Sequence, residues 1–300
     1  MSLGCRRDSR AVRVLFVHVL IWCVLYAGMA AGDRKDVPVV REVGTVAARL
    51  EAAASACERL SLDSLGEVAY GTFHAPLWVA VFQPAEKAGS RVLLTGGVHG
   101  NEPAGCEAML RFIELLAASP GRYPSIAFDI IPLANPWGWA HDKRHNGKRV
   151  DLNRDFASFN ACESSMIHGF TRARRYDLIV DLHEDGTAKG FYLYQIDNEE
   201  DALCNSIIAR QKALGYSAEQ NARMVILKTK DGIIDVPRWT LNAVQFARQL
   251  SMTNYFRLTK CERVFLFETP KRMPMEDRLI MHRAGLEALL GSVGGIGRVR

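Results

Sequence analysis

Beyond residue 32 the chain alternates short apolar runs with longer amphipathic ones. Val43, Val46, Leu50, Ala53 and Cys57 recur at helical spacing and predict a helix over residues 40–60, with Gly44 blurring its start. Short apolar runs predict strands at Leu77–Phe82, Val92–Thr95, Ile126–Ile131, Leu178–Leu182, Phe191–Tyr194 and Val264–Phe267. Helical spacing predicts helices at Pro103–Ala118, Glu199–Leu214, Leu241–Phe256 and Glu276–Leu290. Proline suits the first turn of the first of these, because its missing N–H would have no helical partner there. Strand and helix in alternation predict a three-layer α/β/α sandwich around a mixed, largely parallel sheet. Residues 135–160 follow neither period, and an irregular stretch of that length in a compact domain points to function. No repeat or Pro/Gly/Ser-rich linker interrupts residues 33–300, which read as one domain.

Composition changes this picture little: 48% hydrophobic and 24% charged residues describe an ordinary globular protein. Charge excludes one class. Of the net +5, Arg6, Arg7, Arg10 and Arg13 against Asp8 account for +3, leaving +2 for residues 33–300. No broad basic surface remains to argue for nucleic acid. Residues 1–32 combine a basic start, the apolar run Val14–Ala27 and small residues through Gly32, the pattern of a signal peptide or N-terminal anchor. This predicts export to the periplasm, with membrane contact only through that segment if it is uncleaved; translation from Met29 would instead leave the protein cytoplasmic. The five cysteines beyond it (Cys57, Cys106, Cys162, Cys204 and Cys261) are odd in number, scattered and without a CxxC pair. They argue against a disulfide framework or a cysteine-ligated metal.

Four places carry candidate chemistry. The turn Gly96-Gly97-Val98-His99-Gly100-Asn101-Glu102 leaves a predicted strand with an imidazole and a carboxylate three residues apart, a pair that suits zinc. Alone, it reads as readily as a turn histidine and a helix-start carboxylate. In Asp181-Leu182-His183-Glu184-Asp185, His183 also follows an apolar run, and Asp181 shares its strand face. If the two strands are parallel neighbours, His99 and His183 project from one sheet edge. Glu268 ends the apolar run Val264–Phe267, where desolvation would raise its pKa toward the range a general base needs; a strand-end carboxylate that simply reaches solvent is the alternative. The loop His141–Asp155 holds five Lys/Arg against three Asp. Its arginine forks could bind a carboxylate bidentately, with asparagine adding a donor.

In this order, HxxE, an Arg-rich loop with Asp151-Leu152-Asn153-Arg154, Asp181-Leu182-His183 and a strand-terminal Glu268 resemble the zinc metallocarboxypeptidase superfamily. That superfamily includes carboxypeptidase A-like peptidases and the succinylglutamate desuccinylase/aspartoacylase branch. The resemblance covers residues 90–270. It implies one Zn²⁺ held by His99, Glu102 and His183, with Glu268 as general base. It implies that Asn153 and Arg154 grip the substrate carboxylate, and that Arg144 steadies the oxyanion, with Lys143, Lys148 and Arg149 as competitors for that role. The implied substrate is a peptide or N-acyl amino acid with a free carboxylate.

Two departures from the family are visible. The interval from Glu102 to His183 is short, as in compact bacterial members. The substrate-capping tyrosine has no clear counterpart, since Tyr255 sits in a helical run. The expected activity is a metallocarboxypeptidase; the alternatives are an N-acyl amino acid deacylase, a muropeptide amidase, and a zinc-containing binding module without catalysis. His141, His145 and His168 match no ligand motif. Glu184 and Asp185 read as a solvated acidic turn rather than a second metal site, and Trp137, Trp139 and Trp239 read as wall or core.

Overall fold

The computed structural model describes residues 38–224 and 226–293. The expected leader over residues 1–32 lies outside the described residues. In chain order the elements are α1 (Val43–Ala56), β1 (Leu60–Tyr70), β2 (Phe73–Phe82), β3 (Ser90–Gly96), α2 (Pro103–Ala118), β4 (Ile126–Ile131), α3 (Pro136–Ala140), a 3₁₀ turn (Leu152–Arg154) and α4 (Cys162–Thr171). There follow β5 (Leu178–Asp185), β6 (Tyr192–Ile196), α5 (Asp201–Ala213), the short pair β7 (Arg223–Met224) and β8 (Leu227–Lys228), β9 (Ile233–Val236), α6 (Arg238–Phe246), α7 (Met252–Thr259), β10 (Val264–Pro270) and α8 (Met275–Leu290).

Eight strands form one mixed sheet in the order β1-β2-β4-β3-β5-β10-β6-β9. The inner run β4-β3-β5-β10 is parallel, and antiparallel pairings lie outside it at β1–β2, β2–β4 and β10–β6. The expected α/β/α sandwich is therefore what forms. Parallel strands buried on both faces read as unbroken apolar runs, which is why the central strands were legible. Their alternation divides the core in two. Val92 and Leu94 of β3, Leu178, Val180 and Leu182 of β5, and Phe265 and Phe267 of β10 pack with α1, α2, α5 and α8. Leu93, Ile179 and Val264 face the opposite layer, with Ile167 of α4, Leu241 of α6, and Met252 and Phe256 of α7. Each fully buried Leu, Ile or Phe contributes about 1.5–3 kcal/mol.

Three elements escape the sequence pattern. Strand β1 is an edge strand whose apolar–polar alternation breaks where its register shifts, between Ser64 and Glu67. Strand β9 is only four residues long, and α4 begins just beyond the irregular stretch. The helix expected over Leu241–Phe256 is broken in two. Arg248 adopts φ +56°, and Ser251 Oγ accepts the Asn254 N–H at 3.2 Å to start α7 afresh. Cys57, Cys106, Cys162, Cys204 and Cys261 are all free thiols, as their spacing predicts. Among the described residues no helix is long and apolar enough to cross a membrane.

Candidate active site

Strands β3 and β5 are parallel neighbours with Gly96 opposite Leu182, so both chains leave the sheet at the same edge. Ligand sites of open α/β sheets lie beyond such carboxyl ends. Gly97 turns the chain with φ +63°, a conformation that strains any side chain with a Cβ. The turn delivers His99 and then Glu102, the residue that immediately precedes helix α2. On β5, residues 179, 181 and 183 share one face, which puts His183 on the side of the α4/α7 layer.

His99, Glu102 and His183 converge and are all buried, with one ligand atom from each lying within 4.8 Å of the others. His99 Nδ1 is 2.8 Å from Glu102 Oε1, His183 Nδ1 is 2.8 Å from Glu102 Oε2, and the two Nδ1 atoms are 3.1 Å apart. The outer nitrogens face carboxylates. His183 Nε2 lies 2.8 Å from Asp181 Oδ2, whose Oδ1 accepts the Thr95 hydroxyl at 2.7 Å. His99 Nε2 lies 3.3 Å from Asp151 Oδ1. The Asp181 carboxylate behind His183 fixes the tautomer that leaves its Nδ1 free to ligate. Two imidazole nitrogens and a carboxylate turned toward one point are a donor set that fits zinc, with a position left for substrate.

The electrostatics agree with that design. Burial alone would raise the Glu102 pKa, but His99 and His183 hold it well below the carboxylate range. Burial opposes a charged His183, yet Asp181 and Glu102 raise its pKa well above the ordinary histidine value. Asp151 is likewise held low against its burial by His99, Arg144 and Arg154.

Glu268 stands one strand away. In register it lies between His183 on β5 and Tyr192 on β6, and its Oε2 is buried without a hydrogen-bond partner among the described residues. Burial pushes its pKa well above the ordinary value, with Glu102 and Asp185 adding to the rise and His183 and Arg144 opposing it.

The loop residues 141–155 are held by side chains where regular structure is missing. Asn135 Oδ1 accepts the Gly138 N–H, Asn146 Oδ1 accepts those of Lys148 and Val150, and Asp151 Oδ1 accepts that of Asn153. Asn146 Nδ2 reaches the Tyr70 hydroxyl, which also donates to the fully buried Glu163 carboxylate at 2.8–2.9 Å. Arg144 is the loop cation that reaches the cluster, with Nη1 3.3 Å from His99 Nδ1 and 3.6 Å from Glu102 Oε1. Asp151 Oδ2 orients it, accepting from both Nε and Nη2 at 3.1 Å. No such contact to His99 or Glu102 is made by Lys143, Lys148 or Arg149 among the described residues. Asn153 is buried, and its Oδ1 accepts the Met252 N–H at 3.0 Å, so the carboxamide is oriented by the start of α7. Arg154 is exposed and donates to the Asn153 carbonyl at 2.6 Å.

Other readings change. Tyr255 is buried in α7, its hydroxyl 2.8 Å from His168 Nδ1, among Phe156 and Phe159. That position is core, so Tyr255 is no substrate cap. Trp137 and Trp139 are buried, whereas Trp239 is 46% exposed. Glu184 is not a solvated turn residue: it is buried, accepting the Ala104 N–H at 2.7 Å and a donor from Arg278. Asp151, Thr95 and Arg278 went without a role of their own in the sequence. Only Asp151 carried a signal, through its place before Leu152-Asn153-Arg154.

The chain matches the family model of the succinylglutamate desuccinylase/aspartoacylase catalytic domain over residues 88–232. Carboxypeptidase SOL1 of Arabidopsis thaliana is 35% identical over 111 residues, covering 33% of this chain and 22% of that protein. The chain therefore aligns with about a fifth of that relative's length. Among solved structures, a candidate metallopeptidase from Shewanella amazonensis SB2B superposes with TM-score 0.71 at 19% identity, covering 84% of this chain and 94% of the other. A succinylglutamate desuccinylase from Silicibacter sp. TM1040 superposes with TM-score 0.54 at 18% identity, over 78% and 67% of the two chains. Residues 88–232 thus resemble the succinylglutamate desuccinylase/aspartoacylase catalytic domain, and the fold around them is that of the metallopeptidase-like structures.

Proposed function

We propose that the protein is a zinc-dependent hydrolase that cleaves an amide bond next to a free carboxylate, acting as a metallocarboxypeptidase. The observation that carries this reading is the buried Oε2 of Glu268, unpartnered among the described residues, beside the His99–Glu102–His183 cluster. A module that only binds has no use for a desolvated carboxylate there. His99, Glu102 and His183 would hold the zinc, which when bound would supply a Lewis acid for the scissile carbonyl and lower the pKa of water toward ~7.

The protein's own groups do the rest. Glu268, raised in pKa and with Oε2 unpartnered among the described residues, takes the proton of the attacking water and returns it to the leaving amine. Arg144, braced by Asp151, donates to the carbonyl oxygen as negative charge develops. The Arg154 guanidinium and the Asn153 carboxamide anchor the substrate's carboxylate and set which bond meets Glu268.

The curated carboxypeptidase relatives support the peptidase reading. A second reading, an N-acyl amino acid deacylase with the same machinery, is favoured by the family match over residues 88–232. The test is to purify the protein, measure bound metal, and assay C-terminal peptide hydrolysis beside N-acyl amino acid hydrolysis. Stoichiometric zinc with C-terminal residue release is expected. Release of acyl groups alone would establish the deacylase, and zinc with neither activity would overturn the enzyme assignment.

A further inference from the structure

A helix that begins at a metal ligand has a capping problem. The first N–H groups of a helix have no intrahelical acceptor, and the residue before the helix ordinarily supplies one. Here that residue is Glu102, whose side chain makes no cap bond because both oxygens face His99 and His183. Pro103 has no N–H to satisfy. Ala104 is thus the first backbone donor of α2, and its partner comes from another strand: Glu184 Oε2, at 2.7 Å.

Glu184 follows His183 and, by strand alternation, points to the opposite face of the sheet, where α2 and α8 pack. Its backbone N–H donates to Glu102 Oε2 at 3.2 Å, while its other carboxylate oxygen takes Nη1 of Arg278 from α8. The Glu184 side chain has no solvent exposure and that of Arg278 has 10%, so each charge is neutralised chiefly by the other. The contact is close along its length. A Cβ on Gly105 would sit 2.6 Å from the Leu182 carbonyl oxygen, so the first turn of α2 lies directly against β5.

We propose that Glu184 and Arg278 are positioning residues for the metal site. Glu184 caps α2 in place of Glu102, and Arg278 holds Glu184, so that the Glu102 carboxylate is free to ligate and is fixed in direction. The arrangement divides two duties that one carboxylate cannot perform at once. It rests on the zinc-site reading above.

The test uses the full chain, with Zn²⁺ affinity measured by competition with a chromophoric chelator and Co²⁺ substitution read by its visible d–d absorption. Glu184→Gln and Arg278→Met should weaken Zn²⁺ binding by about 10–100-fold and alter the Co²⁺ band, as loss of outer-sphere partners does. Arg278→Lys should recover part of the affinity. Leu116→Ala, which opens a cavity at the far end of α2, should lower thermal stability yet leave Zn²⁺ affinity and the Co²⁺ band unchanged. Wild-type affinity and spectrum in folded Glu184→Gln would overturn the inference, as would equal losses in Leu116→Ala. A wild-type chain that takes up no metal would instead overturn the hydrolase reading, and this inference with it.

Discussion

Glu268 and His183 are register partners on adjacent parallel strands, β10 and β5, and both side chains face the same side of the sheet. A carboxylate with a raised pKa is thereby fixed beside the imidazole of a candidate metal ligand by backbone pairing rather than by a flexible loop. A group aimed in this way needs little reorganisation when it acts.

The first prediction concerns that carboxylate. Glu268→Gln is nearly isosteric and should leave bound zinc at wild-type stoichiometry while lowering kcat by at least about 10²–10⁴-fold, the usual contribution of a positioned base. Metal analysis beside steady-state kinetics checks both halves. Retained turnover would mean that another carboxylate is the base.

Asp181 is placed to orient His183 through its 2.8 Å contact with Nε2, and it is itself held by Thr95. Asp181→Asn should weaken zinc binding by about 10–100-fold. Isothermal titration of the metal-free protein with Zn²⁺ measures this directly; unchanged affinity would show that the carboxylate does not support the ligand.

Removing metal should also cost stability. A cation that binds only the folded chain adds RT ln(1 + [L]/Kd), about 2.7 kcal/mol at a hundredfold excess over Kd. The melting temperature of chelator-treated protein should therefore rise with added Zn²⁺. A melting temperature indifferent to zinc would exclude a preformed site in the native state.

The two arginines should separate kinetically. Arg154 is exposed and is the proposed carboxylate anchor, so Arg154→Ala should act mainly by raising KM. Arg144, braced by Asp151 beside His99, should act mainly on kcat, with Arg144→Ala losing about 10²–10³-fold. Equal effects of both substitutions on KM alone would reassign Arg144 to binding.

Tyr70 anchors the irregular loop through Glu163 and Asn146. Tyr70→Phe leaves the buried Glu163 short of a donor and should destabilise the protein by about 1–3 kcal/mol. Urea denaturation checks the value. A change within error would mean that the Asn146 and Cys162 donors suffice for Glu163.

The parts of the fold that were legible are those whose physics is local. Apolar runs such as Val92–Thr95 and Leu178–Leu182 announce strands covered on both faces, and the three-and-four spacing within Pro103–Ala118 announces a helix with one buried side. Strand β1 stayed hidden because its alternation breaks at Ser64–Glu67, where the register shifts. The helix read across Leu241–Phe256 hid its break because Gln249-Leu250-Ser251 keeps an apolar residue in phase while Ser251 caps a new start. His99 and Glu102 stood out on the turn between a strand and a helix, and His183 and Glu268 because each follows an apolar run with a chemically costly residue.

By itself, then, the sequence determined the alternation of strand and helix, the sandwich it builds, and the chemical types present at the strand ends. It left open which cation of the loop meets the cluster, that Tyr255 is core, and that Glu184 caps a helix whose first donor, Ala104, lies 80 residues before it in the chain. Those depend on which strands become neighbours and on the face each residue takes. Pairing β3 with β5 and β5 with β10 sets both at once, and such long-range contacts leave no mark on local periodicity.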